Sequence, residues 1–353
     1  MKIFTCMQST SHLSCNLLAD LLTAHGVRRA VLSPGSRNTP LILALSRREE
    51  MECHVVIDER SASFIALGMS IQTGEPVALV CTSGTALLNY APAVAEAFYR
   101  HIPLVVISAD RPEEWIDQDD SQTIWQQDAL APYVKRSCDI SARIDFPNGP
   151  WWTDRMINDV LLECVNGRPG PVHINVRLDA PLHTFSEYDK GSARVVTMIS
   201  PAAQLPVSEI RALAMSLASP RKVLIIAGFH QPDEKLNRAL TRLASLPNVA
   251  VMTESISNMH SPKFIDRIDS TLCRLTDGER ESMRPDTVIT LGGAIVSRHI
   301  KDWLRNIPEF DHWHVGISHT TIDCFKHLSR RIDMDATVFM GQMAAALQPH
   351  RAA

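Results

Sequence analysis

Apolar positions along the chain fall into two spacings. Leu13, Leu17, Leu18, Leu21 and Leu22 recur every three or four residues and predict a helix over 13–25, which Gly26 stops. Short apolar runs rich in Val, Ile and Leu predict strands over 27–32, 53–57, 76–81, 103–108, 134–140 and 171–176. Helical spacing returns between them: over 39–48, with Asn38 as cap and Pro40 near the first turn; over 59–73; from Thr85 to about Arg100; and over 152–166, with Ile157, Val160, Leu161 and Cys164 inward. Strands that alternate with helices predict an α/β domain whose mainly parallel sheet is covered on both faces, a three-layer α/β/α arrangement. The polar loops all follow strands, so they converge on one rim of that sheet, where ligands of such folds sit.

The spacing weakens over 113–130, which predicts a loop and short helix across the rim. It is lost over 177–206, where Pro181, Pro201 and Pro206 flank a polar run. The first domain is therefore expected at 1–180, a linker at 181–206, and a second α/β domain at 207–353. In the second, helices are predicted over 207–217 and 234–246, from Gly293 to Leu304, and over 336–347. Strands are predicted over 222–227, 249–252, 286–291 and 313–317. No short internal repeat is present, although the two halves share an α/β plan.

Composition changes this picture little. The 353 residues are 45% hydrophobic and 21% charged, as ordinary globular chains are. A formal charge of -4 gives no electrostatic case for nucleic acid. No run approaches the ~18 apolar residues of a membrane span, and the first residues lack the apolar core of a secretory signal. Eight scattered cysteines with no C-x-x-C pair predict reduced thiols and a cytoplasmic protein.

Candidate chemistry lies in the strand-end loops. Val55, Val56 and Ile57 run into Asp58, Glu59 and Arg60, a pattern that predicts a buried strand delivering Glu59 to the rim. A carboxyl group held there between apolar surfaces would be partly desolvated and able to pass a proton near neutrality. The other open reading is that Asp58 caps the next helix and Glu59 merely occupies its first turn. Arg37 and Arg111 follow different strands, and two guanidinium groups on one rim suit a ligand with several carboxylates; either alone also suits a surface pair. The loop Thr82-Ser83-Gly84-Thr85 leads into a helix, so its amides are candidates to face an anion or a heterocycle. Gly292-Gly293 after a strand is a nucleotide-type turn, but no G-x-G-x-x-G accompanies it. His312 and His314 share one strand face without a third metal ligand placed by spacing. Neither a G-x-S-x-G elbow nor a P-loop is present.

Taken together and in order, Ser33-Pro34-Gly35-Ser36-Arg37, Asp58-Glu59-Arg60, Thr82-Ser83-Gly84-Thr85, Ala109-Asp110-Arg111-Pro112 and Ser121-Gln122 closely resemble the MenD family of thiamine diphosphate enzymes, the SEPHCHC synthases of menaquinone biosynthesis. The resemblance covers the whole chain and is strongest over 10–180. It implies a pyrimidine-binding domain followed by a central domain. The family's third domain, which holds the diphosphate and Mg²⁺ through Gly-Asp-Gly and Asn-Asn motifs, has no counterpart here, so the chain is expected to be a fragment, inactive alone.

The resemblance further implies that Glu59 bonds N1′ of the aminopyrimidine as the activating acid, with Thr82, Gly84 and Thr85 beside the cofactor. It places Ser36, Arg37, Arg111 and Gln122 on isochorismate, which accepts the succinyl group of decarboxylated 2-oxoglutarate by 1,4-addition. Arg298 stands where the family usually presents Lys, and Ser121 where relatives often have Asn, so both contacts depart from the pattern. A homodimer or dimer of dimers is implied, because the family's cofactor lies between subunits. Two alternatives remain open: a non-catalytic ligand-binding or subunit-pairing module, and another thiamine diphosphate-dependent 2-oxoacid carboligase.

Overall fold

The computed structural model describes residues 5–200, 203–218, 220–317 and 321–347. The chain divides into two compact units, Met1–Ser200 and Pro201–Ala353. Each is α/β with a parallel sheet of its own.

In the first unit the elements run β1 (Thr5–Thr10), α1 (Leu13–Ala24), β2 (Arg29–Leu32), α2 (Thr39–Ser46), β3 (Glu52–Val55), α3 (Glu59–Thr73), β4 (Val77–Cys81), α4 (Ala86–Asn89), α5 (Ala91–Arg100), β5 (Leu104–Asp110), β6 (Ser137–Ile140), α6 (Gly149–Val165), β7 (Val172–Arg177) and β8 (Phe185–Lys190). Six strands form a parallel sheet in the order β3-β2-β4-β5-β7-β6. Successive residues of a strand face opposite layers. Ala30 and Leu32 pack with α1, α2 and α6, whereas Val31 packs with α3, α4 and α5. β4 and β5 are buried at every position, which is why they read as continuous apolar runs.

Several local expectations change. The run 55–57 is not buried: β3 is an edge strand, and Val55 and Ile57 are 67% and 81% exposed. A run of β-branched residues fits an edge strand as well as a central one, because its length does not reveal how many neighbours it has. The helix expected from Thr85 to Arg100 breaks at Tyr90 into α4 and α5. Pro92 has no N–H to continue the ladder, and the Tyr90 hydroxyl is drawn inward onto Val80 O (2.9 Å) and Ser33 Oγ (3.1 Å). Residues 185–190, within the stretch expected as a linker, form β8 and pair antiparallel with β1, Ser9 opposite Ser186. Arg48 anchors this ribbon: fully buried, it pairs with Asp20 at 2.9 Å and stacks over the Tyr188 ring, while Asp20 also takes the Tyr188 hydroxyl (2.7 Å) and the Gly191 amide (2.7 Å).

The second unit runs α7 (Val207–Ser216), β9 (Val223–Ala227), α8 (Glu234–Leu243), β10 (Val249–Thr253), α9 (Ile268–Arg274), α10 (Asp277–Ser282), β11 (Thr287–Leu291), α11 (Arg298–Arg305), β12 (Asp311–Val315), β13 (Leu328–Ile332) and α12 (Ala336–Leu347). Its parallel sheet has the order β10-β9-β11-β12-β13. One face packs against α7, α8 and α12, the other against α9 and α11. The first four strands of each parallel sheet (β2 to β5 and β9 to β12) are laid down in the same spatial order, so the two halves share a plan that their sequences do not repeat.

Two fully buried histidines make both units acid-sensitive. His173 of β7 bonds Ser108 Oγ at 2.7 Å, and His312 of β12 bonds Thr290 Oγ1 at 2.9 Å. Burial, the main cause in each, pulls both pKa values from 6.5 down to about 4. The folded state keeps them neutral while the unfolded chain protonates them below 6.5, so their stabilisation is complete above that pH and is lost as the pH falls toward 4. We expect denaturant-measured stability to fall by about 2 kcal/mol per histidine between pH 7 and pH 5. Asp110 and Asp154, whose pKa values burial raises, act in the opposite sense at the acid end. A flat profile between pH 7 and 5.5 would contradict this account.

Candidate active site

β2 and β4 are neighbours where the strand order of the first sheet reverses, and the loops that follow β2, β3, β4 and β5 meet at that crevice. Asn38 sets the shape of the first loop. Expected as a helix cap, it makes no cap bond to α2; its side chain instead accepts from Gly35 N (2.9 Å) and donates to Ser33 O (2.8 Å). Those two bonds fold 33–38 onto the next strand-end loop. A Cβ on Gly35 would lie 2.5 Å from Thr82 Cβ, so only glycine permits the approach. Ser36 is exposed. Arg37 is half-buried, donates to Leu178 O at 2.8 Å and has no ion pair among the described residues.

The acid pair after β3 divides its work. Asp58 has extended backbone and caps α3, accepting from Ser61 N at 2.7 Å, and hydrogen bonding from the Ser61 side chain, then from that amide, holds its carboxyl below the usual carboxylate range. Glu59, the first residue of α3, is half-buried and makes no hydrogen bond or ion pair among the described residues. It is thus a first-turn residue and less enclosed than expected, since the strand before it lies at the sheet edge. Its charge is still felt inside: burial chiefly, with Glu59 adding, drives the Cys81 thiol up, and burial, Cys81 and Glu59 act the same way on the Tyr90 hydroxyl.

Gly84 holds φ +83°, a conformation other residues enter at a cost. A Cβ there would stand 3.1 Å from the Gln122 carbonyl oxygen and 3.2 Å from its Cα, so glycine lets the loop after β4 and the Gln122 backbone touch. The structure in this way brings Gly84 and Gln122 together. The expectation that this loop presents its amides to a ligand fails at Gly84, whose N–H donates to Gln126 Oε1 at 2.7 Å. Thr82 is half-buried and Thr85 exposed, and neither hydroxyl has a partner among the described residues.

Gln126 was not legible as a site residue, because nothing in a polar loop of irregular spacing marks one side chain as buried. It is 1% exposed. Besides Gly84 it bonds Ala109 O (3.0 Å) and Asn175 Oδ1 (2.9 Å). Asn175 in turn donates to Asp110 (2.8 Å) and Asp139 (2.7 Å), and Arg177 donates to Asp139 (2.7 Å) and to Arg111 O (3.2 Å). One buried network therefore fixes the loop after β4 relative to Asp110-Arg111 after β5. Gln126→Ala leaves the Gly84 amide without its partner and removes a donor from Asn175. We expect a loss of about 2–3 kcal/mol, read as a lower urea midpoint; a change below ~0.5 kcal/mol, the range of an ordinary surface substitution, would show the network to be slack.

Arg111 pairs with Asp120 at 2.6 Å, and its Nε is buried without a partner among the described residues. Burial, then the neighbouring charge of Arg111, lowers the pKa of Arg37, with Asp120, Asp179 and Asp110 opposing. Two guanidinium groups close enough to feel one another are the electrostatic form of a site for a ligand with more than one carboxylate.

Arg298 belongs to the second unit. As the first residue of α11 its side chain is 91% exposed and lies 3.7 Å from Asp302. The Val296 amide just before that helix already donates to Glu254, at 2.8 Å. The Gly292-Gly293 turn is likewise closed by its own chain: Gly293 N donates to Phe229 O at 2.7 Å, and a Cβ on Gly228 would lie 2.3 Å from Gly293 O. The Gly293 amide is therefore not offered to an anion. Among the described residues no group of three or more His, Cys, Asp or Glu could hold a metal ion, and no helix is long and apolar enough to cross a membrane.

A parallel sheet with a glutamate unengaged among the described residues, a glycine-dependent loop contact and two neighbouring arginines at its switch point is a candidate ligand site. Residues 15–130 match the family described as thiamine pyrophosphate enzyme, N-terminal TPP binding domain, a span that contains the loops after β2, β3 and β4 and most of the one after β5. Over most of its length the chain is similar to curated proteins named 2-succinyl-5-enolpyruvyl-6-hydroxy-3-cyclohexene-1-carboxylate synthase. It is 41% identical over 333 residues to the protein of that name from Porphyromonas gingivalis, covering 94% of this chain and 57% of that one. The counterpart from Cytophaga hutchinsonii is 39% identical over 331 residues, covering 93% and 58%. That from Desulfotalea psychrophila is 34% identical over 351 residues, covering 97% and 64%. The chain thus spans about three fifths of the length of the curated relatives it matches.

Proposed function

We propose that this chain supplies the pyrimidine-binding domain (1–180) and central domain (207–353) of a SEPHCHC synthase of menaquinone biosynthesis. The observation that carries the reading is the division of labour at 58–59: Asp58 is consumed by the cap, while Glu59 has no partner among the described residues. A carboxyl so placed, half-buried beside the end of β4, fits the N1′ edge of an aminopyrimidine. The cofactor, when bound, supplies the electron sink that permits a 2-oxo acid such as 2-oxoglutarate to lose CO₂.

Everything else asked of these residues is binding and proton placement. Glu59 would hold or give up a proton at N1′ of the ring. Thr82, Gly84 and Thr85 wall the ring on the side of β4. Arg37 and Arg111 take the carboxylates of isochorismate, and Ser36 and Gln122, both exposed on the same rim, supply neutral hydrogen bonds to it. Mg²⁺, which the family carries with the diphosphate, has no ligand set among the described residues and enters no step. The expected role of Arg298 draws no support from its surroundings within the second unit.

A homodimer or dimer of dimers accords with the apolar residues left exposed at β3 and α3, namely Val55, Ile57, Phe64 and Ile65. Eight unpaired cysteines accord with the cytoplasm. The test is turnover. The chain is joined to the C-terminal region of the P. gingivalis relative and given thiamine diphosphate, Mg²⁺, 2-oxoglutarate and isochorismate. We expect CO₂ release that depends on both substrates; a folded, cofactor-loaded protein that releases none would overturn the proposal.

A further inference from the structure

The rim holds two arginines in unequal states. Arg111, with a side chain 18% exposed, already carries a carboxylate, that of Asp120 at 2.6 Å, whereas Arg37 carries none among the described residues. Asp120 belongs to a loop wound tightly by short-range contacts. Asp117, Asp119 and Gln122 all have left-handed backbone, with φ of 58°, 55° and 55°. Asp120 also takes the Ser121 amide at 2.9 Å, and Trp125 Nε1 donates to Asp117 at 2.6 Å. The same loop carries Gln122, whose backbone rests on Gly84.

We propose that Asp120 is a resident counter-ion of the substrate site, which a ligand with two carboxylates must expel from Arg111 in order to bind. The proposal rests on the reading of Arg37 and Arg111 as the anion site. A monocarboxylate can settle on Arg37 and leave the Arg111–Asp120 pair intact. A dicarboxylate that spans both arginines competes directly with Asp120, which is tethered and so present at high effective concentration. Expelling it moves the loop that bears Gln122. Asp120 therefore lowers the affinity of the unliganded site and reserves loop movement for ligands of the right charge. The charge of Asp120 also reaches Arg37, so one acid restrains the repulsion between the two arginines while the site is empty.

The test uses the intact chain and simple probes: the straight-chain dicarboxylates from malonate to adipate, and acetate. Affinity is read by calorimetry and loop movement by Trp125 emission, with Trp125→Phe identifying that signal among the six tryptophans. Asp120→Asn keeps the oxygen that accepts from Ser121 but removes the charge; Asp120→Ser is a second variant. We expect the best dicarboxylate to change Trp125 emission where acetate does not, and to bind about five- to tenfold more tightly once Asp120 is neutralised, the size expected for losing one partly buried ion-pair competitor. Equal affinity in wild type and both variants, with binding still lost in Arg111→Met, would overturn the counter-ion role and leave the anion site standing. No dicarboxylate binding in wild type or either variant would overturn both.

Discussion

Glu59→Gln, in the chain completed with the C-terminal region of its P. gingivalis relative, is expected to lower kcat by about a hundredfold to ten-thousandfold, the range of a lost general acid–base. The amide has the size of the carboxyl and can still bond the pyrimidine, but it cannot exchange the proton. Its effect on folding should be slight, within ~0.5 kcal/mol, because Glu59 makes no bond among the described residues and the cap belongs to Asp58. Asp58→Ala should show the reverse: about 1 kcal/mol of stability lost with the cap, and kcat largely kept. Steady-state rates and urea midpoints on the two variants check the contrast. If Asp58→Ala proved the more damaging to turnover, the roles of the two acids would have to be exchanged.

Arg111→Ala is expected to weaken dicarboxylate binding, and to raise KM for isochorismate, by about thirty- to a hundredfold, the equivalent of 2–3 kcal/mol for a charge-assisted pair. Arg37→Ala should cost at least as much, because Arg37 is the arginine open to a carboxylate and Asp120 then stays on Arg111 unopposed. Lysine at either position should recover only part, since an ammonium group lacks the planar fork that takes a carboxylate through two parallel bonds. kcat should change less than KM in all four variants, because these groups hold substrate and do not move its protons. A fall in kcat with KM unchanged would place the arginines in the chemistry.

The parts of the fold that were legible in sequence are those set by local spacing. β4 and β5 are buried on both faces, so Val77–Cys81 and Leu104–Asp110 could only read as strands, and the loops after them could only lie on one rim. Identity of neighbours was not legible. Nothing in Val55-Val56-Ile57 shows that β3 has a partner on one side only. β1 and β8 are polar, lie 176 residues apart where Thr10 meets Ser186's hydroxyl, and find each other only through the fold, with buried Arg48 and Asp20 behind them.

The same limit governs the site. Glu59, Arg37 and Arg111 stand out because charged residues directly after apolar strands are few. Gln126 and Asn175 are neutral amides whose importance is a matter of burial, and Asp120 was one acid among several in the stretch 113–130. Asn38 is a polar residue before a helix, which is what a cap looks like; that its side chain turns back to Gly35 and Ser33 depends on the loop it shapes.

The central claim is that Glu59 governs proton exchange in the aminopyrimidine ring. Hydrogen–deuterium exchange at the thiazolium C2 of bound thiamine diphosphate, followed by quenched-flow NMR in the completed protein without substrates, tests it most directly. It separates cofactor activation from substrate binding and product release. The account predicts fast exchange in wild type, an exchange rate lower by about a hundredfold or more in Glu59→Gln, and no change in Asp58→Ala. Equal rates in wild type and Glu59→Gln, with cofactor bound to both, would contradict it.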